Sequence, residues 1–174
     1  MKNIFLILSL LFAVTLTSCE KEDLGIFNSD NRPEVPVTFP GTTTHGFNPY
    51  ITKSIAGDGV IEFTMSIPAN SGRTIREITR VAAGGTAINP GSLNPTTATG
   101  TPVANYIDGP IAGNGTTAVF RTTLEEFKAK TGEAAKAESA KLVKANGEIA
   151  FMFLVTLDNG DTIIPTQVRV RLTQ

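Results

Sequence analysis

In Gly59-Val60-Ile61-Glu62-Phe63-Thr64-Met65-Ser66-Ile67, apolar and polar side chains alternate from Ile61 to Ile67. Successive side chains of a strand point to opposite faces, so Ile61, Phe63, Met65 and Ile67 share one face. Glu62, Thr64 and Ser66 share the other. Asp58 and Gly59 punctuate the run on one side and Pro68 on the other. This is a strand with one face on a core and one in water.

A second such element closes the chain. Glu148–Leu157 leads into Asp158-Asn159-Gly160, and Asp161–Leu172 returns. Asn-Gly supplies the positive φ of a tight hairpin turn. Phe151, Phe153, Val155 and Leu157 fall on one face, as do Val168, Val170 and Leu172, with Arg169 and Arg171 opposite. Pro165 has no amide to donate, so its strand is an edge or carries a bulge there.

Between these elements the pattern is looser. Ile75, Ile78 and Val81 recur every third residue within Arg73–Val81, a spacing open to a short helix, a regular strand or a bulged one; we read it as strand. Gly84 to Gly115 is crowded with glycine, proline, threonine and asparagine and reads as loop, with a short strand at Val103–Ile107. Thr116–Thr122 is a further strand. Thr123 and Glu126 form a capping box that starts a short helix, Leu124–Lys130, stopped at Gly132. Glu133–Asn146, rich in Ala, Lys and Glu, either continues as helix or is an excursion. Several short strands, glycine-rich connections and one short helix predict a mainly β chain. The expected architecture is an antiparallel β-sandwich, immunoglobulin-like in the broad sense.

The N-terminus has a different character. Lys2 precedes an apolar run, Ile4–Leu16, too short to span a bilayer and of the length of a signal-peptide core. It ends in Leu16-Thr17-Ser18-Cys19, which looks like the lipobox of exported lipoproteins, and Cys19 is the chain's one cysteine. The reading is a signal peptide over 1–18, lipidation of Cys19, a tether over 19–36 and one domain over 37–174. Without a second cysteine no internal disulfide can form, but the 156 residues left after removing 18 from 174 suffice for a core. Those 156 carry 16 acidic and 14 basic residues, a net charge of −2 with no basic patch, which argues against nucleic acid as a partner.

Residues for catalysis are scarce, and the expectation is that the chain is not an enzyme and needs no cofactor or metal. His45 is the one histidine and sits among threonine and glycine, where it reads as an exposed loop residue. Asp158-Asn159-Gly160-Asp161 is dense in oxygen, but the twelfth position counted from Asp158 is Arg169, where a calcium loop needs glutamate. Gly84-Gly85 and Gly113-Asn114-Gly115 lack the Gly-Lys-Ser/Thr ending of a phosphate loop. With no tryptophan and only Tyr50 and Tyr106 as tyrosines, the chain is poor in platforms for sugar rings. Tyr106 lies in the long Gly84–Gly115 stretch and is the candidate partner-binding residue, since loops on a rigid scaffold commonly carry recognition. The alternative is a tolerated surface insertion with Tyr106 packed at its base.

Residues 151–160 (FMFLVTLDNG), 163–172 (IIPTQVRVRL) and 80–90 (RVAAGGTAINP) resemble small uncharacterised surface lipoproteins of the Bacteroidota. Glu20, Lys21, Glu22 and Asp23, directly after Cys19, resemble the surface-export signal of that group. Asp161-Thr162-Ile163 looks like its O-glycosylation sequence, with Thr162 the acceptor. The resemblance implies an outer-membrane, lipid-anchored protein displayed on the cell surface. Such proteins often serve as accessory binding or assembly modules of SusC/SusD-like nutrient-uptake systems. Its partners would be the membrane through the Cys19 anchor, and outer-membrane uptake proteins or glycan. A structural envelope or adhesin-like lipoprotein without a small ligand is the alternative.

Overall fold

A computed structural model describes residues 34–93 and 105–174. Cys19, Glu20, Lys21, Glu22, Asp23 and the first two residues of the strand expected at Val103 lie outside the described residues. Among the described residues nine strands and one α-helix follow in order: β1 Thr43–His45, β2 Asn48–Ser54, β3 Val60–Ser66, β4 Ile75–Gly84, β5 Ile111–Ala112, β6 Thr117–Thr123, α1 Leu124–Lys130, β7 Glu148–Leu157, β8 Thr162–Ile163 and β9 Val168–Thr173. They build a mainly β sandwich. The large sheet runs β1-β2-β9-β7-β4-β5, with β8 also on β7, and β3-β6 forms a ribbon across from it.

All pairings among the described residues are antiparallel but one, β2 beside β9, which is parallel. β1 falls in the threonine- and glycine-rich stretch read from sequence as loop, and His45 ends it. Pro49 inside Asn48–Ser54 hides that strand from any pattern reading.

The two clearest patterns form strands as read. Ile61, Phe63 and Met65 are at most 1% exposed, and β3 pairs with β6 in unbroken register from Val60↔Thr123 to Ser66↔Thr117. The three-residue spacing of Ile75, Ile78 and Val81 comes from bulges. Ile75, Ile78 and Val81 face Leu157, Val155 and Phe153, so three residues of β4 twice span two of β7. Each bulge inserts one residue, and all three side chains return to the core face. The return read as one strand over Asp161–Leu172 is interrupted over residues 164–167, around Pro165, which separates β8 from β9: from Val155 to Phe151 is four residues, from their partners Ile163 to Val168 five.

β7 is the axis of the core. Its inward face stacks Phe151 and Phe153 among Phe39, Phe63, Phe120, Phe127 and Tyr106, ring centroids 5.2 to 6.5 Å apart. Offset and edge-on aromatic pairs of this kind add about 0.5–1.5 kcal/mol each beyond their buried area. Its outward face is covered too: Ala82, Leu93 and Met152 form a second apolar cluster with Ile88 and Leu154. The first part of the long loop is therefore structural, because Ile88 and Leu93 roof the back of the sheet. Ordered packing also starts before residue 37, since Val35 already rests on the core.

α1 is capped as expected on one side of its box: the Glu126 amide donates to Thr123 Oγ1 at 3.0 Å. The Glu126 carboxylate does not return to Thr123 but accepts from Thr122 Oγ1 at 2.9 Å. Gly132 at φ +67° ends the helix. The segment beyond is an excursion, with 3₁₀ turns at Glu133–Ala135 and Glu138–Ala140, and no continued α-helix.

Candidate functional site

The long loop and the excursion meet at one end of the sandwich, around a cleft of about 380 Å³. Asn105 and Tyr106 extend the edge of β4: the Val81 amide donates to Asn105 Oδ1 at 3.0 Å and the Tyr106 amide to the Val81 carbonyl at 2.8 Å. This turns the Tyr106 ring inward, where it is 4% exposed and packs on Phe120, Phe127 and Phe151. Its hydroxyl meets Thr122 Oγ1 at 2.5 Å. Of the two readings of Tyr106, partner contact and packing at the base of the loop, this placement is the second. A ring that fills the gap between two sheets has no area left to offer, and Tyr106 is the packed base of the loop.

Lys130 stands at the mouth of the cleft. Its ammonium donates to the Tyr106 carbonyl at 2.8 Å, lies 2.9 Å from Glu126 and 3.4 Å from Asp108, and sits 5.1 Å over the Tyr106 ring. The Glu126 hydrogen bond, above all, raises the Lys130 pKa, against a smaller opposing effect of desolvation. Burial pushes the Tyr106 phenol up to about 12, partly offset by the Thr122 hydrogen bond and assisted by the Glu126 charge. Both groups hold their protons at neutral pH, so neither is poised as a general acid or base.

Lys136 and Leu142 line the cleft, and both are partners of Glu133, a carboxylate with 2% of its surface exposed. It accepts from the amides of Leu142 at 2.6 Å and Val143 at 3.1 Å, and pairs with Lys136. Burial pushes its carboxyl up, but the Lys136 ammonium and the two amides outweigh that, and its pKa is lowered. Glu133 is the residue that sequence reading passed over. One acid in a stretch of Ala, Lys and Glu carries no periodic signal, and its role appears only when residues 142 and 143 fold back onto it.

The remaining sequence candidates are spread over the molecule. The Asp158–Asp161 cluster is consumed in its own turn: Asp158 Oδ1 accepts from the Thr74 amide at 3.2 Å, and Asn159 bonds Asp161 in both directions. Among the described residues no group of three or more His, Cys, Asp or Glu is placed to hold a metal ion. Thr162 is exposed on β8, at the opposite end from Lys130. On the outward face of β9, Glu148 pins both Arg171 (2.8 Å) and Arg169 (3.5 Å), and the Arg171 guanidinium covers the Tyr50 ring at 4.0 Å. Here Gln167 Oε1 and Arg169 Nε are buried without a partner, one an acceptor and one a donor.

No described protein family matches this chain, and no curated protein sequence does.

Proposed function

We propose that this chain is a non-enzymatic, lipid-anchored surface protein of the outer membrane, whose sandwich serves as an accessory binding or assembly module of a nutrient-uptake system. The observation that carries the reading is Leu16-Thr17-Ser18-Cys19, a lipobox-like run that ends an apolar leader on the chain's one cysteine. The charged Glu20–Asp23 that follows supports display on the outer surface. The domain supports a binding or assembly role over a chemical one. In its cleft Lys130 is paired with Glu126 and Asp108, and Tyr106 is buried at the base.

Two measurements test this. Cys19→Ala should leave an unprocessed precursor or release the protein from membranes, and globomycin should cause the uncleaved form of the wild type to accumulate. A Cys19→Ala protein still processed and membrane-bound sinks the anchor. Purification of the wild type from detergent-solubilised outer membranes should bring a SusC/SusD-like pair with it. Recovery of the protein alone refutes the assembly role.

A further inference from the structure

Phe47 is the second residue of the two-residue turn between β1 and β2, where His45 faces Asn48. Gly46 before it takes φ +64°, which a tight hairpin turn needs at its first central position. Phe47 is 94% exposed, whereas the other large exposed apolar residues among the described ones, Ile55, Val119 and Ile164, are only 36–45% so. Those three lean on their neighbours, as scattered surface apolar residues normally do. Phe47 holds its whole ring in solvent at the tip of a hairpin.

The direction of that tip follows from the sheet. β2 is parallel to β9 and β9 antiparallel to β7, so β1 runs in the same sense as β7. The β1–β2 turn therefore points the way β7 points, toward the turn after Leu157. The chain joins the domain at that same end: Glu34 and Val35 line a cleft with Leu157, Asp161 and Ile163. The exposed ring and the start of the domain share one end of the sandwich.

We infer that Phe47 is a membrane-contact residue, which seats the β1–β2 tip in the interfacial layer of the bilayer that holds the chain. The inference rests on the lipid-anchor reading proposed above. Fifteen peptide links separate Cys19 from Glu34, and even fully extended they span at most about 50 Å. An anchored domain therefore meets its own bilayer at high effective concentration. One buried phenylalanine side chain shifts an equilibrium about ten- to a hundredfold. That is too little to capture a free protein, but enough to orient a tethered one.

The chain contains no tryptophan, so Phe47→Trp and, as a control on the outer face of the ribbon, Val119→Trp each introduce a single fluorophore. Lipidated full-length protein of each kind is reconstituted into vesicles of phosphatidylethanolamine and phosphatidylglycerol with doxyl-labelled acyl chains. The expected result is blue-shifted emission of the Phe47→Trp protein and quenching several-fold stronger than that of Val119→Trp. Equal, weak quenching of the two in proteins that float with the vesicles overturns the inference and leaves the anchor standing. If the lipidated preparation carries no acyl group on Cys19 and fails to float, the anchor reading has failed and the inference falls with it. A blue shift that arises only when outer-membrane proteins are added shows a protein partner at the tip, and also overturns it.

Discussion

Removal of the Glu133 carboxylate should show how far one side chain holds the 133–147 excursion in place. Its Oε2 accepts from both the Leu142 and Val143 amides, while Oε1 faces Lys136. Glutamine can put its one carbonyl oxygen on the two amides, so Glu133→Gln keeps both bonds but makes them neutral. Hydrogen bonds to charged groups contribute about 1.5–3 kcal/mol and neutral ones about 0.5–1.5, so the substitution should cost about 2 kcal/mol. Lys136, with a third of its side chain exposed, turns to solvent at little further cost. Glu133→Ala loses both bonds outright and should cost about 4 kcal/mol, in the range for breaking a buried charged pair. Urea unfolding at neutral pH measures both, and amide exchange at Leu142 and Val143 should accelerate before that of β7.

The pH dependence has a definite sign. The folded carboxyl has a pKa lowered from 4.5, so its contribution is complete above the unfolded value and is lost as pH falls through the lower folded one. The gap between wild type and Glu133→Gln should therefore be full at neutral pH and close in acid. If both variants unfold within about 0.5 kcal/mol of wild type, as ordinary surface substitutions do, Glu133 does not hold the segment.

Tyr106→Ala should destabilise the domain by about 3–5 kcal/mol, as other aromatic-to-alanine changes in cores do, while Tyr106→Phe should cost only about 1 kcal/mol. Because burial raises the folded phenol to about 12, its contribution is complete below the unfolded value near 10 and is lost as pH rises toward 12; ultraviolet titration that shows Tyr106 ionising near 10 in the folded protein would refute its burial. Gly113→Ala places a Cβ 2.0 Å from the Ile75 carbonyl oxygen, so β5 must leave β4, at a cost of about 1–3 kcal/mol. Thermal unfolding of that variant at the wild-type temperature would show that the β4–β5 contact is not formed in solution.

The strands legible in the sequence are those whose burial differs between faces. Ile61 to Ile67 and Phe151 to Leu157 each put one apolar set on the core, and a period of two reports that directly. The Thr123 cap of α1 was equally local, because it depends on a backbone amide three residues on, and at Pro165 the missing donor was legible while the choice between edge and bulge was not. The leader expected from the lipobox-like run is local in the same sense, a reading of residue types with no dependence on the fold. None of these readings needed a distant contact.

What tertiary structure decided involves partners far apart in the chain. Ile75, Ile78 and Val81 carry a spacing that fits helix or bulged strand, and only pairing with Leu157, Val155 and Phe153 selects the bulges. β2, interrupted by Pro49, becomes a strand because β9, more than a hundred residues on, offers it a parallel edge. Ile88 and Leu93 look like loop residues until Ala82 and Met152 present an apolar back face to cover. Tyr106 and Glu133 show the same limit. An amphipathic side chain in a polar loop reads as exposed or as packed at the loop's base, and a lone acid reads as solvated. Their burial is set by Phe120, Phe127 and Phe151 for the one and by the amides of Leu142 and Val143 for the other, and a linear sequence carries no record of such distant neighbours.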